Sequence, residues 1–194
     1  MDLIQTNEQY VHLKNCWEKI DLTNYEKSLF NLEIISFNQQ LIRLKEKKLR
    51  IGIYGKAGVG KSSILNLLLN EKVFKTDIIN GSTKKVEAKE WFYKGQMLKS
   101  IELLDSPGFD FCNINSSENT YSLINNSELV LFAISGDLNR NEVNKINSFI
   151  KDGKRIIIVL NKIDFWNEYE LDEIINSIKL KIPKDAFIPI IKNS

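Results

Sequence analysis

The segment Gly55-Lys56-Ala57-Gly58-Val59-Gly60-Lys61-Ser62 has the spacing G-x-x-x-x-G-K-[ST], the pattern of a loop that wraps nucleotide phosphates. Glycines let several backbone N–H groups converge on anionic oxygens where side chains would obstruct them. A helix that follows adds its first N–H groups and its dipole. In such a loop Lys61 reaches the β- and γ-phosphates, and the Ser62 hydroxyl binds Mg2+. The candidate phosphate-binding residues are therefore Gly55, Lys56, Ala57, Gly58, Val59, Gly60, Lys61, Ser62 and Ser63. A glycine turn that merely precedes a helix is the plain alternative. The flanks weigh against it: Leu49 to Tyr54 reads as a short apolar strand, and Ser63 to Leu69 as the start of a Leu-rich helix.

Asn161-Lys162-Ile163-Asp164 selects among nucleotides. A carboxylate at Asp164 can accept hydrogen bonds from the N1–H and the exocyclic amine of guanine. Adenine has no donor at N1, so it would leave a buried acceptor unpaired, at a cost of about 1–3 kcal/mol. Asn161 would tie this loop to the phosphate loop, and the aliphatic stem of Lys162 could lie over the base. Between the two segments, Leu103-Leu104-Asp105-Ser106-Pro107-Gly108 closes an apolar run with an acid. Asp105 would hold Mg2+ through its water shell, and the Gly108 N–H could sense the γ-phosphate. Asp-Ser-Pro-Gly alone also suits an ordinary turn.

All three segments must then stand at strand ends. From Leu49 the pattern predicts a strand, the glycine loop, a helix and a loop. A hairpin follows, with arms Val86 to Tyr93 and Lys99 to Leu104 around Lys94-Gly95-Gln96. A helix from about Ser117, a strand Leu129 to Ile134 and a helix from about Asn141 come next. Strand Ile156 to Leu160, a helix from about Glu168 and strand Phe187 to Ile191 complete the order. The fold class expected is α/β: a mostly parallel sheet with one antiparallel edge strand, flanked by helices, plus an N-terminal helical extension.

These motifs, in this order, resemble the GTPase domain of the translation-factor-related class. The D-x-P-G form of Asp105 to Gly108 is similar to the Era and TrmE-like branch, with dynamin-like and immunity-related GTPases more distant. The resemblance covers Leu49 to about Ile191. It implies a threonine that completes the Mg2+ shell when the γ-phosphate is present. Thr83, in Gly81-Ser82-Thr83, is the candidate and Ser82 its alternative; a simple polar turn there is also compatible. Ser62, Thr83 and Asp105 are thus the expected metal ligands, and Lys61, Thr83 and Gly108 the expected catalytic groups.

Three positions depart from the family pattern. Phe109 stands where Ras-like enzymes carry a water-orienting glutamine. Gly58 stands where potassium-stimulated members carry asparagine. The Ser-Ala-Lys motif is not recognisable in Ala186-Phe187-Ile188-Pro189-Ile190-Ile191-Lys192-Asn193-Ser194, leaving N–H groups near Ile191 and Lys192 as the guanine contacts.

Residues 1–48 lie outside the resemblance. Tyr10, Leu13, Trp17 and Ile20, then Phe30, Ile34, Phe37, Leu41 and Leu44, recur at helical spacing. Thr23-Asn24-Tyr25-Glu26 fits a capping box. A helical hairpin packed on the domain Leu49–Ser194 is one reading; an arm for dimerisation or a protein partner is the other. Arg43, Lys45, Lys47, Lys48 and Arg50 form a basic cluster suited to a solvated helix end or an anionic surface.

The net charge of +2 over 194 residues marks neither nucleic acid nor anionic membrane as a partner, and peripheral membrane contact stays open. Cys16 and Cys112 lack metal-site spacing, His12 stands alone, and no apolar run reaches membrane-span length, so a cytoplasmic protein is expected. The expected activity is Mg2+-dependent hydrolysis of GTP to GDP, slow alone and raised by dimerisation or a partner. An arginine from that partner, or Arg140 in this chain, could assist. A GTP/GDP-dependent switch or assembly module with negligible hydrolysis is the alternative, and an ATPase with an idle Asp164 a third.

Overall fold

The computed structural model describes residues 3–76, 85–92, 98–110, 120–121 and 124–194. Ser82, Thr83, Cys112, the Lys94-Gly95-Gln96 turn and the helix start expected near Ser117 lie outside them. The described chain runs α1 (Leu3–Glu18), α2 (Asn24–Leu29), α3 (Asn31–Lys45), β1 (Lys48–Gly55), α4 (Lys61–Leu69), β2 (Glu87–Trp91), β3 (Ser100–Asp105) and β4 (Leu129–Ile134). It continues through α5 (Arg140–Lys151), β5 (Arg155–Leu160), a 3-10 turn (Ile163–Phe165), α6 (Glu168–Lys181) and β6 (Ile190–Lys192).

The six strands form one sheet in the order β2-β3-β1-β4-β5-β6, mostly parallel with one antiparallel strand. β4 and β5 are near-continuous runs of Leu, Val, Ile and Phe, as expected of parallel strands covered on both faces. Their register aligns Gly55 with Ala133, Ala133 with Val159, and Val159 with Ile191. The C-terminal ends of β1, β4, β5 and β6 therefore finish on one rim, where an open parallel sheet binds its ligand. Ile53, Phe132, Ile134, Ile146, Phe149, Ile158 and Ile178 are fully buried around this sheet, each contributing about 1.5–3 kcal/mol.

Two helix starts are fixed by reciprocal side-chain caps. Asn139 and Glu142 form a capping box on α5, and Asn167 and Glu170 form one on α6. Strand β6 begins later than the sequence pattern suggests, and Phe187 is exposed. Pro189 has no N–H to donate, and its carbonyl accepts instead from Ile158 N at 2.9 Å, so regular pairing starts after it.

By its internal packing the chain divides into two units, Met1–Leu49 with Glu90–Glu102, and Arg50–Lys89 with Leu103–Ser194. In the first, Trp17 of α1 meets Phe37 of α3 with ring centroids 4.6 Å apart. The Thr23–Glu26 capping box is present, but the helix it opens ends at Leu29, and Phe30 separates it from α3. Among the described residues, no helix is long and apolar enough to cross a membrane.

In the second unit, Asn66 holds the chain that leaves α4. Its amide donates to Phe74 O at 2.8 Å and accepts from Val73 N at 2.9 Å and Phe74 N at 2.8 Å. Asn66→Ala leaves these backbone groups unpaired in a buried position and is expected to cost about 2–4 kcal/mol in urea unfolding. Asp137 offers a pH test. Burial pushes its carboxyl up, but hydrogen bonds from Lys181, Ser177 and the Leu138 N–H outweigh this and hold it below the ordinary value. A depressed carboxylate stabilises the fold above its unfolded pKa of about 3.9 and loses that contribution as pH falls through the folded pKa. The stability gap between the unsubstituted chain and Asp137→Asn should therefore close below about pH 4, read by thermal melts across pH.

Candidate functional site

Strand β1 delivers Gly55 to the rim, and the chain turns through Gly58 and Gly60 into α4. Gly60 sits at φ 89°, and a Cβ there would lie 2.3 Å from Asn161 Nδ2, so this position needs glycine twice over. No side chain caps α4, whose first N–H groups open into the loop. Lys61 is buried, with Nζ donating to the carbonyl of Lys56 at 2.7 Å. Ser62 Oγ donates to Asp105 Oδ2 at 2.5 Å, and Asp105 is 1% exposed at the end of β3. A hydroxyl and a carboxylate in contact supply hard oxygen donors that fit Mg2+, an ion that takes few protein ligands beside phosphate and water. Among the described residues no group of three His, Cys, Asp or Glu side chains offers a closed metal cage.

The loop after β5 is clamped onto the glycine loop. Asn161 is 5% exposed; its Nδ2 donates to Val59 O at 2.8 Å, and its N–H donates to Ile134 O at 2.8 Å. Lys162, in left-handed conformation at φ 61°, reaches across to Gly58 O at 2.7 Å. Asp164 stands exposed on the 3-10 turn that follows.

Beyond β3, Ser106 Oγ donates to Ile53 O at 2.6 Å, fixing this exit against β1. Gly108 presses so closely on Ala57 that a Cβ would come within 2.3 Å of the Ala57 nitrogen. The Phe109 ring stacks on Tyr54 at 5.3 Å, within an aromatic cluster that includes Tyr121, Phe132 and Phe149. Asp110 follows, with Oδ1 accepting from Ala57 N at 2.7 Å.

The fold thus brings together the glycine loop, Asp105, Gly108, Asn161 and Lys162. Ile191 and Lys192 lie in β6, level with Val159 and Leu160. Asn193, which the sequence did not single out, reaches the loop instead. Its Nδ2 donates to Asn161 Oδ1 at 2.7 Å, its N–H donates to Leu160 O at 2.8 Å, and its carbonyl accepts from Ile163 N at 3.3 Å. The available signal was a polar residue directly after the last apolar strand, as Asn161 is after β5. Asn193→Ala removes the bond that orients the Asn161 amide. It should weaken GDP and GTP about fivefold each, measured by equilibrium titration.

This geometry defines a P-loop nucleotide-binding protein. Residues 50–162 match the family described as 50S ribosome-binding GTPase, and the chain belongs to that family. It is a GTPase. The chain is 34% identical over 131 residues to the tRNA modification GTPase MnmE of Mesoplasma florum, covering 65% of this chain and 28% of that protein. To MnmE of Thermotoga maritima it is 33% identical over 139 residues, covering 70% and 30%. An Aquifex aeolicus Era variant bound to GDP.AlF4- superposes with a TM-score of 0.64 at 26% identity, over 75% of this chain and 51% of that one. The chain thus spans less than a third of the length of these MnmE relatives.

Proposed function

We propose that this chain binds GTP and GDP with Mg2+ and hydrolyses the β–γ anhydride of GTP to GDP and phosphate. Turnover is slow in the isolated chain and rises when a second copy or a protein partner engages it. The observation that carries this reading is the hydrogen bond from Asn161 to Val59, which joins the guanine-type loop to the phosphate loop. In this reading Asp164 accepts from guanine, and Lys162 flanks the base. N–H groups near Ile191 and Lys192 contact the base from the β6 side.

Lys61 and the N–H groups of Gly55 to Ser63 stabilise negative charge on the phosphates, and the Gly108 N–H registers the third phosphate. Ser62, Asp105 and Thr83 would hold Mg2+, which would supply positive charge to offset that of the phosphates. The slow rate follows from Phe109, whose ring is committed to Tyr54 and offers water no hydrogen bond. Positioning and electrostatics carry the step, and an arginine from the partner would accelerate it. Residues 1–48, a helical extension to the domain Leu49–Ser194, supply the partner surface, with Val11, Leu13, Ile35 and Ile42 exposed. The setting is cytoplasmic.

The same Phe109 packing favours a second reading, a nucleotide-dependent switch without useful turnover. Titration of GTP and ATP with and without Mg2+, followed by turnover at rising protein concentration, separates these readings. GTP should be preferred about a hundredfold, and Asp164→Ala should abolish the preference. Equal binding of ATP would sink the guanine assignment, and turnover absent at every protein concentration would favour the switch.

A further inference from the structure

We infer that Asp110 is a specificity-determining residue that disfavours GTP relative to GDP at this site. This rests on the guanine-nucleotide reading above. The glycine loop has two ends with different neighbours. Val59 and Gly58 take hydrogen bonds from Asn161 and Lys162 of the base loop. Ala57 instead faces the β3 exit, with Gly108 pressed on its nitrogen and the Asp110 carboxylate accepting from the same N–H at 2.7 Å. A nucleotide laid from Asp164 across the loop toward the Ser62–Asp105 pair places its last phosphate at the Ala57 and Gly108 end. That end already holds a carboxylate from the chain itself.

The local geometry selects Asp110 for this place. The Phe109 ring turns into the stack on Tyr54, and the next side chain points to the loop. Lys56, a cation in the same loop, pairs at 3.5 Å with the buried Glu142. A γ-phosphate adds negative charge at this end, whereas GDP adds none there. Either the carboxylate stays and repels the third phosphate, or it withdraws and loses its bond to Ala57 N–H. Both costs fall on the triphosphate alone, which is the differential interaction that shifts a binding preference.

The test is equilibrium titration of the full chain with fluorescent GDP and a fluorescent non-hydrolysable GTP analogue, using Asp110→Asn and Asp110→Ala. The analogue should bind about five- to tenfold tighter in both variants, the range expected for one like charge a few ångströms away in partly screened surroundings. GDP affinity should stay within about twofold, which also verifies that the variants fold. A parallel change for both nucleotides would overturn the inference by making Asp110 merely structural. An unchanged ratio with a fall in kcat would overturn it by making Asp110 a water-positioning residue. No guanine-nucleotide binding by the unsubstituted chain would overturn the proposed function, and this inference with it.

Discussion

The hydrogen bond from Asn161 to Val59 O is the constraint on which the site depends. It joins loops that leave two strands, β1 and β5, that are not neighbours, because β4 lies between them. A buried amide can bridge that gap only if the three strands end at matched heights, and the row Gly55, Ala133, Val159 supplies this match. The buried Asn161 must also have its own acceptor filled, which Asn193 does from the next strand outward. A chain of side-chain and backbone bonds thus runs from β6 through β5 to β1 along the rim. Loss of any link leaves a polar group unpaired in a buried place, which costs more than the link itself contributes.

The sheet order explains why the glycine loop has two chemically different sides. β1 has β4 as one neighbour and β3 as the other, so the connections leaving β1 and β3 part around a crevice. On the β4 and β5 side lies the amide and ammonium loop of Asn161 and Lys162. On the β3 side lie the carboxylate of Asp105 and the close backbone of Gly108. These two sides are separated by the width of one glycine loop, and α4 begins between them.

Much of this was legible in the sequence because it depends on local rules. The G-x-x-x-x-G-K-[ST] spacing, the apolar runs of β1, β4 and β5, and the acid at the end of β3 each state their structure within a few residues. Asn193 was not legible, because its role is set by the register of β6 against β5, a relation between segments about 30 residues apart. The late start of β6 was readable only in hindsight, from the missing N–H of Pro189. The direction of the Phe109 ring was likewise hidden, because it is decided by Tyr54, an aromatic residue within a strand that reads simply as apolar. Thr83 lies outside the described residues, so its place rests on the family resemblance alone.

The β3 exit combines a fixed point with a weakly held one. Ser106 is anchored to Ile53 O at 2.6 Å, which ties the start of this segment to the core of β1. Two residues later Gly108 touches Ala57 without room for a methyl group, and Phe109 N reaches Gly55 O only at 3.4 Å. That long bond is weak, and the Asp110 contact to Ala57 is exposed to solvent. Displacement of the backbone from Gly108 onward would therefore break only weak or exposed contacts while Ser106 holds. The aromatic stack of Phe109 on Tyr54 opposes this displacement, because moving the backbone drags the ring out of its packing. A phenyl ring at this position, unable to orient water, thus ties the backbone beside Ala57 to the aromatic core.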